Sequence, residues 1–219
     1  MCIRDSIATP RSGEPLIAAI QDFITGAYLL TQKDVFFDRA HACQLAMAMM
    51  TQDELGTRID LPTPAILKPC PLWTGKQIFS LVIRPNRQSK VRAYLRAKSR
   101  KDYAKGDEMC VTDSFVVIRD GELLAGKMSK ATLGSGSKDN IFYSILREFG
   151  EDETARALSR LARLSSAFIM NRGFSIGIGD VTPGPDLVCE KKHLVHDGYT
   201  KCSKPVSYTH LTLPTILRV

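Results

Sequence analysis

The chain has 219 residues, 44% hydrophobic and 24% charged, with a formal net charge of +7. That is the make-up of a soluble globular protein, one large domain or two small ones, with a sizeable core. The six cysteines stand scattered, without a Cys-x-x-Cys or a Cys/His pair at zinc spacing, which argues against a disulfide framework or structural metal and fits reduced thiols in a cytosolic or nuclear setting.

No apolar run approaches the length of a bilayer crossing, and the first residues lack the apolar core of a signal peptide. The positive excess favours a polyanionic neighbour such as nucleic acid, although solubility alone accounts for a charge of this size. Both ends read as translated sequencing adaptor. Met1–Ser6 can be encoded by ATG TGT ATA AGA GAC AGC, and the reverse complement of that string reads in frame into Val-Ser-Tyr-Thr-His, the sequence of Val206–His210. Residues 1–6 and 206–219 are therefore expected to be adaptor, and Ile7 to Pro205 the native insert.

In chain order, Glu14-Pro15 opens a predicted helix with Leu16, Ile20, Phe23, Ala27 and Leu30 as its apolar stripe. Gln21 and Asp22 stand beside that stripe, as surface or capping groups or as braces for a neighbouring loop. Asp34 suits the N-cap of a second helix with Phe36, Ala40, Cys43, Met47 and Met50 on one face and His41 towards solvent. Four prolines between Pro62 and Pro71 force an extended path and suggest a boundary or linker. Trp73–Gln77 then turns into a predicted strand over Ile78–Ile83. Lys76 after Gly75 is a candidate phosphate contact on the weak ground of one glycine and one lysine.

The basic stretch from Arg84 to Lys105, with Asp102 as its acid, reads as a solvated loop, and Tyr94 and Tyr103 alone make a poor base-stacking platform. Ser114–Arg119 and Glu122–Gly126 flank Asp120-Gly121, a tight-turn signal, and predict a β-hairpin. The small-residue turn Thr132–Ser137 leads into a helix over Asn140–Phe149 closed by Gly150. A longer helix is predicted over Glu153–Met170 with Ala157, Leu161, Leu164 and Phe168 as its core stripe.

Within Asn171–Asp180 three glycines, Gly173, Gly177 and Gly179, interleave with Phe174, Ile176 and Ile178. This predicts a strand-like segment in which glycine allows positive φ or close approach by another chain. The order Gly-x-x-x-Gly-x-Gly fits neither a dinucleotide fingerprint nor a Walker loop, and Thr182-Pro183-Gly184-Pro185 follows in place of a helix. A structural turn is the reading of these residues taken alone.

Leu-Pro-Thr-Pro-Ala-Ile-Leu-Lys-Pro, Leu-Trp-Thr-Gly-Lys-Gln-Ile-Phe-Ser, Thr-Leu-Gly-Ser-Gly-Ser-Lys and Arg-Gly-Phe-Ser-Ile-Gly-Ile-Gly-Asp-Val follow one another in fixed order. In that order they resemble the largest subunit of multisubunit DNA-directed RNA polymerase, across essentially all of Ile7 to Pro205. Thr132–Ser137 with Asn140-Ile-Phe-Tyr, and Trp73-Thr74-Gly75, are most similar to eukaryotic RNA polymerase III, with polymerases I and II as near alternatives.

The resemblance implies an α+β fold of mixed helices and short strands. It assigns 7–60 to a helical segment after the catalytic loop, 61–137 to a mixed β pore region, and 138–205 to a helical segment and glycine-rich junction into the funnel. The family's catalytic loop, Asn-Ala-Asp-Phe-Asp-Gly-Asp, has no counterpart here, so the Mg2+ of the parent enzyme is expected outside this chain. Asp107 in Lys-Gly-Asp-Glu-Met is a local mimic out of order, not a metal ligand.

Lys130, in Met-Ser-Lys-Ala-Thr, matches a pore lysine near which nucleoside triphosphates or backtracked RNA pass, and Lys76 is a weaker candidate of the same type. Gln21 and Asp22 match residues that brace the active centre. Gly173, Gly177, Gly179 and Asp180 match a tightly packed junction, with Asp180 as a structural hydrogen-bond acceptor. The implied partners are the second-largest and other polymerase subunits, DNA template, RNA transcript and nucleoside triphosphates, with no membrane, and the implied location is the nucleus. The competing reading is a stand-alone basic nucleic-acid-binding or interaction module without catalysis. A phosphate-binding enzyme built on the glycine loops lacks any nucleophile, base or metal cluster.

Overall fold

A computed structural model describes residues 7–9, 11–51, 54, 58–98, 110–136 and 138–212. Backbone contacts divide the chain into two compact units, Met1–Gly173 and Phe174–Val219.

The spine of the first unit is α6 (Glu151–Arg172), against which α1 (Asp22–Leu30), α2 (Arg39–Ala48), α3 (Gly75–Ile83) and α5 (Ile141–Phe149) pack. Its buried stripe is the expected Ala157, Leu161, Leu164 and Phe168. Glu151, Asp152 and Glu153 sit at the positive end of its dipole and Arg172 at the negative end. Gly26 sets the distance between α1 and α6, because a Cβ there would lie 2.9 Å from the Cβ of Ser165. Asn140 caps α5 by accepting from the Phe142 N–H at 2.8 Å, and Gly150 ends it at φ 92°, as expected.

Two helix starts differ from expectation. The helix predicted from Pro15 begins only at Asp22, and Leu16 and Ile20 are exposed instead of forming its stripe. Leu16 N–H donates to Ile7 O at 2.7 Å and Thr9 N–H to Glu14 O at 2.8 Å, so this backbone is committed to a small antiparallel turn. The N-cap of α2 is Asp38 and not Asp34, since β1 (Phe36–Phe37) is drawn into pairing with β2 (Trp73–Thr74). The buried face of α2 is Ala42, Leu45 and Ala46, followed by Met49, whereas Phe36 and Met47 are exposed. His41 faces solvent as expected, its N–H and ring both bonded to Asp38, which holds that carboxyl below its ordinary range.

The predicted strand over Ile78–Ile83 is a helix, α3. Thr74 Oγ1 accepts from Gln77 N–H at 3.2 Å while Gln77 Oε1 accepts from Thr74 N–H at 3.1 Å, a capping box that commits the chain to helix. Ile78 to Ile83 are all buried, so the run, apolar except for Ser80, carries no period by which to recognise the helix.

The Asp120-Gly121 hairpin is present, with φ of 52° and 77° at the turn, between β4 (Phe115–Arg119) and β5 (Glu122–Ala125). Out of the basic stretch comes β3 (Leu95–Lys98), giving an antiparallel sheet of order β3-β4-β5. The stretch is thus not wholly a solvated loop. Arg84 is largely buried against Asp120, 2.9 Å away, while residues 99–109, Asp107 among them, lie outside the described residues. Ser80 Oγ of α3 accepts from Leu123 N–H at 2.9 Å and fixes β5 to the helix. The proline-rich path holds no helix, as expected, and residues on either side of it share one core.

The second unit holds α7 (Ile178–Val181) and α8 (Pro185–Thr212), and its described side chains are almost all exposed. The expected strand-like glycine segment is therefore partly helical, and a long helix follows Pro185, whose fixed φ suits a first helical position.

Candidate functional site

The elements around Lys130 are built up from Asp113. Its carboxylate is buried, with Oδ1 accepting from Gly126 N–H at 2.8 Å and Oδ2 paired with the Lys76 ammonium. Gly126 sits at φ 93°, and a Cβ there would lie 2.4 Å from the Cα of Val116, so the chain can leave β5 here only as glycine.

From Gly126 the backbone runs along α1. Lys127 Nζ stands 5.7 Å from the centre of the Tyr28 ring, a cation–π distance. The N–H of fully buried Met128 donates to Thr31 Oγ1 at 2.9 Å, while that hydroxyl donates to Ala27 O at 2.8 Å. The one-turn helix α4 (Lys130–Leu133) follows, held at its far end by Ala19 N–H donating to Leu133 O at 3.2 Å. Gly134 N–H donates to Lys130 O at 2.8 Å, and Asn140 Nδ2 donates to Gly134 O at 2.6 Å. Every end of this element is tied to buried structure, while the Lys130 side chain is exposed.

The structure distributes the sequence-predicted residues unevenly. Lys130 is an anchored, solvent-facing cation beside the Ala19–Leu30 segment. Lys76 is not: its side chain is 13% exposed and its ammonium is taken by Asp113, which makes it a tie between α3 and the turn before β4. Gln21 and Asp22 are exposed, and Gln21 takes φ 43° while its carbonyl accepts from Ile24 and Thr25 N–H at 3.0 Å each. Gly173 takes φ 80° and ends α6. Gly177 has φ −91°, not the positive φ considered for it, and its N–H donates to Asp180 Oδ2 at 2.8 Å. A Cβ at Gly173 or Gly179 would meet nothing of this chain within 4 Å.

Sequence reasoning missed Thr31, Asp113, Arg160 and Cys110. Arg160 sits on the buried side of α6, where a cation demands a carboxylate; Nε donates to Glu54 Oε1 at 2.8 Å, Nη2 pairs with the same oxygen, and Nη1 donates to Val82 O at 3.1 Å. Burial pushes the Glu54 carboxyl up, but the hydrogen bonds and charge of Arg160, joined by Thr51, outweigh it and leave it below its ordinary value. Cys110 Sγ lies 3.0 Å from Ser114 Oγ and 3.3 Å from Thr112 Oγ1, and accepts from Ser114 N–H at 3.3 Å. These partners, Ser114 Oγ foremost, lower the thiol to about 6.

A groove of about 620 Å3 runs between residues 60–65, α3 and β5. The Lys76 and Arg84 cations on its wall are already neutralised by Asp113 and Asp120. Among the described residues no group of three or more His, Cys, Asp or Glu is placed to hold a metal ion. None of the described helices is long and apolar enough to cross a membrane.

The family model for RNA polymerase Rpb1, domain 3, matches residues 6–181. The DNA-directed RNA polymerase III subunits RPC1 of Bos taurus and Homo sapiens are each 55% identical to this chain over 204 residues, which is 93% of it and 15% of their own length. The corresponding Saccharomyces cerevisiae subunit is 48% identical over 212 residues, 94% of this chain and 14% of its own. The chain thus spans about 15% of the length of the curated relatives it matches.

Proposed function

The chain belongs to the RNA polymerase Rpb1 domain 3 family, matched over residues 6–181, and on that premise we propose that it is an internal piece of the largest subunit of a nuclear DNA-directed RNA polymerase III. The parent transfers nucleotidyl groups on a DNA template, together with the second-largest and other subunits. Within it this piece lines the route below the active centre: 7–60 lies behind the catalytic loop, 61–137 forms the pore, and 138–205 leads into the funnel. Gln21 and Asp22 brace the active centre from behind. Gly173, Gly177, Gly179 and Asp180 make the junction into the funnel, where the room beside the glycines is filled by another part of the enzyme.

Magnesium in the parent would activate the attacking hydroxyl and steady the leaving phosphate oxygens. The sequence has no counterpart of the Asn-Ala-Asp-Phe-Asp-Gly-Asp loop, so on this reading the ion is held outside this chain. What this chain contributes is position and charge.

The observation that carries the reading is the placement of Lys130, an exposed cation on a short helix tied before its start by Met128 N–H to the buried Thr31 hydroxyl and at its end by Leu133 O to the buried Ala19 N–H. Such a charge attracts triphosphate or RNA phosphate and carries no base information. Lys76, neutralised by Asp113, serves the architecture instead. In the intact polymerase, Lys130→Ala should raise KM for nucleoside triphosphates or slow cleavage of backtracked RNA, with kcat and thermal stability little changed and Lys130→Arg restoring most of the loss. Elongation and cleavage kinetics equal to wild type in the Ala variant would sink the assignment.

A further inference from the structure

We infer that Thr31 is a positioning residue for Lys130, its hydroxyl setting the register of the Lys130 element against α1. The inference rests on the proposed phosphate-contact role of Lys130. It concerns a residue of a different element, remote in sequence, which touches no substrate.

Thr31 is the C-cap of α1 and is fully buried. Its Oγ1 spends its proton on Ala27 O, at 2.8 Å, which turns the oxygen lone pairs outward to receive the Met128 N–H at 2.9 Å. Because Met128 is itself fully buried, that N–H has no solvent to fall back on. A slip of residues 127–133 by a fraction of a residue would strand it, and a stranded buried donor is costly in a way a loosened apolar contact is not.

Other ties confine the element on either side of Lys130. The Lys127–Tyr28 contact, at 5.7 Å, tolerates sliding over the ring face. The Ala19–Leu133 bond, at 3.2 Å, holds the far end, and Gly134 is held in turn by Asn140. Lys130 lies between the Thr31 tie and the Ala19 tie, two and three residues from the bonded backbone groups of Met128 and Leu133. The Thr31 hydroxyl therefore determines where the base of the Lys130 side chain stands relative to the segment carrying Gln21 and Asp22.

The test uses the intact polymerase carrying Thr31→Val, Thr31→Ser, Lys130→Ala, or Thr31→Val with Lys130→Ala. Valine keeps the branched shape and removes the hydroxyl; serine keeps the hydroxyl. Backbone amides from Met128 to Gly134 should exchange hydrogen roughly 5- to 100-fold faster in Thr31→Val, and at wild-type rates in Thr31→Ser. KM for nucleoside triphosphates should rise in Thr31→Val in the same direction as in Lys130→Ala, with kcat little changed, and the double variant should be no worse than Lys130→Ala alone.

Unchanged exchange in Thr31→Val overturns the inference, as does faster exchange with an unmoved KM when Lys130→Ala does move it. A Thr31→Ser variant as impaired as Thr31→Val overturns it too, since the methyl group and not the hydroxyl would then hold the contact. A silent Lys130→Ala would remove the phosphate role, and the hydroxyl's hold on the Lys130 element would then stand or fall on the exchange result by itself.

Discussion

Among the described glycines, Gly75 is the one at which an added methyl has the least room. A Cβ at Gly75 would lie 1.8 Å from the carbonyl oxygen of Leu30, 2.9 Å from its carbonyl carbon and 3.3 Å from Val35 Cγ1. The first of these falls more than 1 Å short of the roughly 3 Å below which real Cβ atoms are essentially never found. The obstacle is backbone, so no rotamer change relieves it. Relief by moving α3 is opposed by Gly75 N–H, which donates to Val35 O at 3.1 Å, and by the Thr74–Gln77 capping box.

Overpacking of a tight core costs about 1–3 kcal/mol and occasionally more, and backbone against backbone belongs at the upper end. The better helix propensity of alanine returns at most about 1 kcal/mol. A net loss of about 2 kcal/mol or more is expected, measured as a lower thermal-inactivation midpoint and poorer assembly of the polymerase. Gly198→Ala, inside α8, is the matched control, because nothing of this chain lies within 4 Å of the added methyl. If Gly75→Ala assembled and melted like wild type, the close approach of α3 to the Leu30 carbonyl would not be fixed as argued.

Arg160→Met should destabilise by about 3–5 kcal/mol, because it leaves the Glu54 carboxylate buried without its partner; pairing it with Glu54→Gln should recover part of the loss in thermal melts, and additive losses would contradict the pairing. The Glu54 carboxyl is held below its ordinary value of 4.5 in the folded chain, so its contribution to stability is complete above about pH 4.5 and is lost as pH falls through the folded value. Glu54→Gln should flatten that acid limb of a stability–pH curve, and a curve of unchanged shape would speak against the assignment. At Cys110, alkylation by iodoacetamide should rise with pH around a midpoint of about 6. Ser114→Ala should move that midpoint up towards the ordinary 9.0; a wild-type midpoint near 9.0 would dismiss the hydrogen-bonded thiolate.

How much of the fold the sequence disclosed follows from the range of the interactions that decide each element. The Asp120-Gly121 hairpin, the capped α5 and the stripe of α6 were legible because each is specified within a few residues: positive φ at a turn, a cap, a period of 3.6. The start of α1 was not, because Pro15 and Leu16 are engaged by Ile7 and Ala8. The start of α2 was displaced because Phe36 and Phe37 pair with Thr74 and Trp73. The helix α3 does have a local signal in Thr74 and Gln77, but the run behind it, apolar except for Ser80, reads equally well as a buried strand.

The candidate site divides along the same line, and the division has a physical meaning. Lys130 was visible as a lysine in a matching motif, but nothing local told an anchored exposed cation from the neutralised one at Lys76, whose Asp113 partner is 37 positions away. Thr31 and Met128 are 97 positions apart, and the sequence contains no pattern that joins them. Apolar packing is non-directional and accommodates small shifts, so the α6 stripe can hold helices together without fixing where one side chain points. A buried N–H has one acceptor and a narrow range of distance and angle. Where a chain must hold a single cation in register, the directional constraint therefore comes from buried polar ties such as Asp113 with Gly126, Thr31 with Met128 and Asn140 with Gly134. Substitutions at these ties should displace Lys130 while leaving most of the apolar core in place, which separates positioning from folding by experiment.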